Sequence, residues 1–163
     1  FHMAGITPEA QTLADVGGDK LPAEEITKAD LDALRAGFGG KGDKIDVVVF
    51  AAPQLSIVEM QDLAALCAGK SFKTPVIVCT SPQVYPDATR MGLIDTIEST
   101  GAKVLEGTCF YNQYAREIGE ANGWTRLLSN SAKIVNIISG YGYTPALASM
   151  EKCVASAVAG EIV

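Results

Sequence analysis

The apolar residues of this chain gather in short dense runs separated by polar turns, and the spacing within the runs alternates. Residues 45–51, IDVVVFA, are nearly continuous in apolar character, the pattern of a strand buried on both faces in a parallel sheet. The strand breaks at Pro53, and a helix begins behind Ser56. There Ser56-Ile57-Val58-Glu59 carries the S-x-x-E capping box. Ile57, Met60, Leu63, Ala64 and Cys67 then share one face before Gly69 ends the helix. PVIVC, residues 75–79, predicts a second strand, and Thr80-Ser81-Pro82 turns the chain into a helical region running to residue 99. Pro86 limits the first turn of that region, and Gly101 closes it. AKVL, 102–105, predicts a third strand, followed by a helical or irregular stretch around 115–121. TRLLSNSAKIVNIIS contains a short strand, a polar turn at Ser129-Asn130-Ser131, and an amphipathic helix or strand. SMEKCVASAVAG reads as a closing helix of small residues that ends at Gly160.

Upstream of the first strand the pattern is helical. Thr7-Pro8-Glu9 has the order of cap, first-turn proline and first-turn acid, and Gly17-Gly18 would stop that helix. Thr27 caps ITKADLDALRAGF, in which Leu31, Leu34 and Phe38 fall on one side. Strands alternating with helices across short turns predict an α/β fold with a parallel sheet flanked by helices. The expected organisation is one domain over residues 1–163, with 1–44 a helical lead-in and 45–163 forming the sheet.

Composition narrows the function classes. With 163 residues, 48% apolar and 20% charged, the chain can bury a sizeable core. A net charge of −6 without clustered Lys or Arg gives no nucleic-acid footprint. No apolar run reaches the roughly 20 residues that span a bilayer, and no signal peptide is visible, so no membrane role is expected. The four cysteines are scattered, without a C-x-x-C pair, and read as reduced thiols of a cytoplasmic protein.

Ligands of parallel sheets sit beyond the carboxyl ends of the strands. Residues 52–56, 80–82 and 107–111, with the Ser129-Asn130-Ser131 turn, should reach that edge. Ser and Thr ahead of a helix are most often simple caps. Cys109 differs from the other thiols: it follows Gly107-Thr108 just after a strand and precedes aromatic and polar residues. It is placed to bind a metal or an iron–sulfur cluster, or to act as a nucleophile. Cys67 and Cys153 read as core, and Cys79 as core or beside the site. His2 is the only histidine, which argues against a Ser-His-Asp triad within the chain. The cysteines lack the spacing of a zinc site. A Walker A pattern is absent, and GYGYTP lacks a strand–turn–helix phosphate context.

Several of these segments together resemble the aconitase X family. FHMAGITPEA resembles its H-x-x-G-[VI]-T-P-E-A stretch, and IDVVVFAAPQLSIVEM its VDLV-x-L-G-x-P-H-[FL]-S-x-x-E. Thr108-Cys109 resembles a Thr-Cys after a strand, Asn130-Ser131-Ala132-Lys133 its N-S-[GA]-K turn, and CVASAVAG its C-V-x-A-A-V-x-G. The pieces keep their order along nearly the whole chain. The chain departs from the family at Ala52, where Cys, Ser or Asn is usual, at Gln54, where the family has His, and around 134–136, where it lacks an aromatic.

The resemblance implies an aconitase-like domain from the C-terminal portion of a longer large subunit. The chain would then be a fragment, a processed piece or a split subunit. It implies a hydro-lyase that dehydrates a small hydroxy acid, such as cis-3-hydroxy-L-proline in bacteria or a phosphorylated mevalonate in archaea. Iron or an iron–sulfur cluster would serve as Lewis acid, since hydroxide leaves poorly without one. Cys109 is the residue carried over as its ligand. Thr7, Ser56, Asn130, Ser131 and Lys133 are carried over as substrate-binding positions. The base would be a serine on a small swivelling domain, and that domain and the N-terminal part of the large subunit are the implied partners. The alternative is a divergent α/β binding module or subunit of the same fold without catalysis, which Ala52 and Gln54 favour. A flavodoxin-like or Rossmann-like small-molecule binder fits the element order but has no motif of its own.

Overall fold

The computed structural model describes residues 1–163. By its internal contacts the chain divides into two compact units, Phe1–Asp32 and Ala33–Val163.

The first unit departs from the expected capped helix. The Thr7 hydroxyl accepts from the Met3 backbone N–H at 2.8 Å, so it faces backward and caps nothing downstream. Short 3-10 turns at Ala14–Val16 and Gly18–Lys20 replace the helix, with Gly17 left-handed between them at φ 69°. Helix α1, Lys28–Ala36, forms as expected behind Thr27. The Thr27 N–H donates to Asp30 Oδ2 at 2.7 Å while the Asp30 N–H donates to the Thr27 hydroxyl. The apolar positions expected on its face are not buried, with Leu31 45% and Leu34 55% exposed.

The second unit is built on β1 (Val47–Leu55), β2 (Val76–Thr80), β3 (Lys103–Glu106), β4 (Arg126–Ser129) and β5 (Thr144–Leu147). They form one parallel sheet in the order β3-β2-β1-β4-β5. Side chains of β1 alternate between two apolar layers, as a pleated strand requires. Val48 and Phe50 face a layer with Met60, Leu63 and Cys67 of α2 (Ile57–Cys67), Ile94 and Ile97 of α4 (Leu93–Glu98), and Cys153, Val154 and Ala157 of α7 (Met150–Ala159). Val47 and Val49 face the other, with Phe110, Ala115 of α5 (Ala115–Asn122), and Ile134 of α6 (Ala132–Ile137). Helices on both faces explain why β1 reads as an unbroken apolar run. No helix is long and apolar enough to cross a membrane.

Three local features differ from the sequence pattern. The first is β1, which does not stop at Pro53 but continues to Leu55 through a bulge. Phe50 pairs with Val78 and the next pair is Leu55 with Thr80, so residues 51–54 oppose only Cys79. Pro53 has no N–H to donate and is accommodated where no ladder bond is needed. Ala52 is left-handed at φ 51° and is followed by a cis peptide bond. The second is the long helix expected to residue 99, which splits into α3 (Tyr85–Arg90) and α4, with Gly92 left-handed at φ 71° between them. The third is β5, which the pattern did not announce. Pro145 lies within it, and a proline is tolerated because β5 is the edge strand beside β4.

Candidate functional site

The strand order places the site. Successive strands run from β1 outward through β2 to β3, and the chain then crosses to the other side of β1 to lay down β4 and β5. The crossover direction reverses between β1 and β4, and a crevice opens beyond their carboxyl ends at such a switch point. The β1 bulge, residues 51–54, and the Ser129-Asn130-Ser131 turn form its two sides.

Two serines latch these sides together. Ser129, fully buried, donates its hydroxyl to the Val49 carbonyl at 2.6 Å. Ser131 donates its hydroxyl to the Ala52 carbonyl at 2.5 Å and accepts the Ile134 N–H at 3.2 Å as the cap of α6. The Ser131 N–H donates to the Ser129 hydroxyl at 3.1 Å. Both serine hydroxyls are thus engaged in holding backbone. Asn130, half-buried between them, makes no side-chain hydrogen bond within the chain, which leaves its amide open to a ligand. Lys133, exposed at the start of α6, sets its ammonium 5.9 Å from the centroid of the Tyr111 ring.

The far side of β1 is tied in the same way. The Thr80 hydroxyl donates to the Leu55 carbonyl at 2.7 Å, and the Gly107 N–H donates to the Thr80 carbonyl at 2.9 Å. Gln54 extends its amide to the Thr108 carbonyl at 2.9 Å. The loop that carries Cys109 is therefore fixed to both β1 and β2. Ser56 caps α2 in the predicted reciprocal box: its hydroxyl and N–H donate to the Glu59 carboxylate at 2.7 and 2.8 Å, and it accepts the Glu59 N–H at 3.4 Å. That carboxylate already serves the α2 N-terminus.

Cys109 is half-buried. Beneath it, burial pushes the Cys79 thiol up to about 12, the nearby Cys109 sulfur adds to the shift, and the Phe110 N–H opposes it. Cys67 and Cys153 are buried core thiols, pushed up to about 11 and about 12 by burial. No group of three or more His, Cys, Asp or Glu side chains is arranged to hold a metal ion. Cys109, with a neutral Cys79 behind it, does not make a closed iron centre from this chain's donors alone.

The carboxyl edge thus brings together Cys109, Ser56, Asn130, Ser131 and Lys133. Thr7 belongs to the first unit. Two surface clefts lie instead toward the amino ends of the strands. One, of ≈ 540 Å³, is lined by Phe38, Arg126, Asn136, Ser139 and Thr144 among others, and one, of ≈ 200 Å³, by Arg116, Glu120, Trp124 and Tyr141 among others. The sequence reading passed over Gln54 as a strut and over Tyr111. Tyr111 is signalled only by the aromatic pair Phe110-Tyr111 directly after Cys109.

Comparison with known proteins gives these features a context. The model of the aconitase X third domain matches residues 45–159. The cis-3-hydroxy-L-proline dehydratase of Pseudomonas aeruginosa is 31% identical over 98% of this chain and 28% of its own length. The phosphomevalonate dehydratase large subunit of Thermococcus kodakarensis is 27% identical over 96% of this chain and 39% of its own. The crystal structure of Thermococcus kodakaraensis aconitase X in its holo-form superposes with a TM-score of 0.67 at 20% identity, covering 86% of this chain and 37% of that one. That likeness is one of fold. The chain spans between about a quarter and two fifths of the length of these relatives.

Proposed function

The chain belongs to the aconitase X family, and on that premise we propose that it is the third-domain part of a hydro-lyase that dehydrates a small hydroxy acid such as cis-3-hydroxy-L-proline. The observation that carries this reading is the serine-latched β1–β4 switch point, with the Asn130 amide without a partner in the chain and Lys133 at the start of the helix that follows. Removing the proton beside a carboxylate shifts negative charge onto that carboxylate. Fixed donors at its oxygens stabilise the charge as it grows. Asn130 and Lys133 take this role. Ser131 acts through the backbone it holds, and Ser56 through the helix start it caps.

The rest of the reaction depends on polypeptide outside this chain. The base is assigned to a serine on a small swivelling domain, and the remaining metal donors to the N-terminal part of a large subunit. Cys109 is the single ligand assigned here toward iron, as a cluster or a single ion. The donors in this chain do not close a site around that group. A cytoplasmic setting belongs to this reading and is supported by four free thiols.

One observation favours a second reading, a divergent module of the same fold without catalysis. Gln54, which replaces the family's histidine, uses its amide as a strut to Thr108. One experiment separates the two. The chain is produced with its flanking polypeptide and small domain, loaded with iron, and assayed with cis-3-hydroxy-L-proline and with phosphorylated mevalonate. Turnover that falls on Lys133→Ala supports the hydro-lyase. An iron-loaded assembly inert toward both substrates establishes the second reading.

A further inference from the structure

Cys109 and Tyr111 flank Phe110, and Phe110 is the anchor of their turn. Its side chain is fully buried and meets the Tyr143 ring edge-on, with centroids 5.9 Å apart. Tyr143 is itself fixed by donating its hydroxyl to the Ala115 carbonyl at 2.8 Å. The 3-10 turn Phe110–Asn112 is therefore pinned to the core at its first residue. The ring of Tyr111 lies half-buried against the same apolar layer, 6.5 Å from Tyr141. Its hydroxyl makes no hydrogen bond within the chain. Above this ring sits the Lys133 ammonium.

A lysine on a surface helix otherwise samples many rotamers, and holding it in one costs side-chain entropy. An aromatic face with negative charge density lowers that cost by attracting the ammonium while leaving its N–H donors open. We propose that Tyr111 is a positioning residue: its ring holds Lys133 over the switch-point crevice so that the ammonium meets the anionic end of a carboxylate or phosphate ligand. The inference deepens the proposed function and rests on Lys133 as the receiving cation. It adds a residue from the β3 side of the sheet to a site otherwise built from β1 and β4.

The test reads the lysine directly, on the whole 163-residue chain. Lysines are reductively methylated with an isotope label, and the Lys133 signal is assigned by its loss in Lys133→Arg. Ring stacking shifts that signal upfield in the unmodified sequence and in Tyr111→Phe, and Tyr111→Leu returns it to the position of a free lysine. Titration with inorganic phosphate and with acetate moves the same signal. Affinity falls about two- to fivefold in Tyr111→Leu and stays unchanged in Tyr111→Phe, matching the strength of an exposed cation–π contact. A Lys133 signal identical in all three chains overturns the inference, as does equal weakening by Phe and Leu. A stacked Lys133 that binds both anions, in an assembly that dehydrates nothing, sustains the inference and removes the hydro-lyase reading.

Discussion

Gln54 on β1 donates its side-chain amide to the backbone carbonyl of Thr108, fifty-four residues along the chain, across 2.9 Å. The bond joins the bulge on one side of the switch point to the loop that presents Cys109. It makes a structural tie of the residue that stands where the resemblance leads one to expect a histidine.

Removing that tie should loosen the Cys109 loop without unfolding the sheet. Gln54→Ala is expected to cost about 1 kcal/mol, the net value of one hydrogen bond, in chemical denaturation. Gln54→Glu should cost more, because it sets an acceptor against the Thr108 carbonyl. Both variants should speed alkylation of Cys109 under native conditions. Unchanged alkylation would mean that Gly107 and Thr80 hold the loop by themselves.

The Ser131–Ala52 bond predicts a larger effect. Ser131→Ala removes both the cap of α6 and the donor to the Ala52 carbonyl, and should cost about 1–2 kcal/mol. Ser129→Ala leaves the buried Val49 carbonyl without its side-chain donor and should cost about 1–3 kcal/mol. The double variant should fall short of the sum, because the Ser131 N–H also rests on the Ser129 hydroxyl. Thermal or urea unfolding of the three variants measures this.

The buried thiols predict loss of stability in alkali. In the unfolded chain they ionise near 9.0, whereas burial holds Cys67 up to about 11 and Cys79 and Cys153 up to about 12. Above the unfolded value the unfolded chain holds fewer protons than the folded one, so stability falls as pH rises. The contribution of neutral, buried thiols is whole below pH 9 and is lost between there and the folded values. Urea midpoints at pH 8 and 10 should differ, and Cys153→Ala should lessen the difference relative to its own neutral-pH stability. At neutral pH a thiol reagent should modify Cys109 first.

The sheet was legible because burial on both faces writes itself as apolar runs. IDVVVFA, PVIVC and AKVL each begin within a residue or two of an observed strand. The Ser56-x-x-Glu59 box was legible because its two bonds are local. Other features depend on distant partners. Thr7 had the residue order of a cap, yet its hydroxyl is satisfied by Met3 behind it. The bulge through Pro53 follows from the pairing of Leu55 with Thr80, twenty-five residues further on. β5 hides a proline because it is an edge, and edges are defined only by the assembled sheet. At the carboxyl edge of the sheet, Cys109 and Asn130 were legible as residues in turns after strands, and Lys133 as a residue just beyond one. The pairing of Lys133 with Tyr111 needs the fold to bring α6 beside the turn after β3.

Asn130 gives the most direct test of which side chain receives the substrate. Its two neighbours are held by backbone bonds, so changing Asn130 should leave the turn in place, and stability should move little. In the iron-loaded assembly, Asn130→Ala removes one donor from the growing charge on the carboxylate and should lower kcat by about 100-fold or more, as loss of an oxyanion donor does. Asn130→Asp has nearly the same shape but sets a negative charge against the substrate carboxylate, so it should raise KM as well as lower kcat. If the alanine variant changes KM alone, the amide binds ground state and transition state equally, and charge stabilisation then rests on Lys133. A wild-type kcat and KM in both variants would place the substrate away from the β1–β4 crevice.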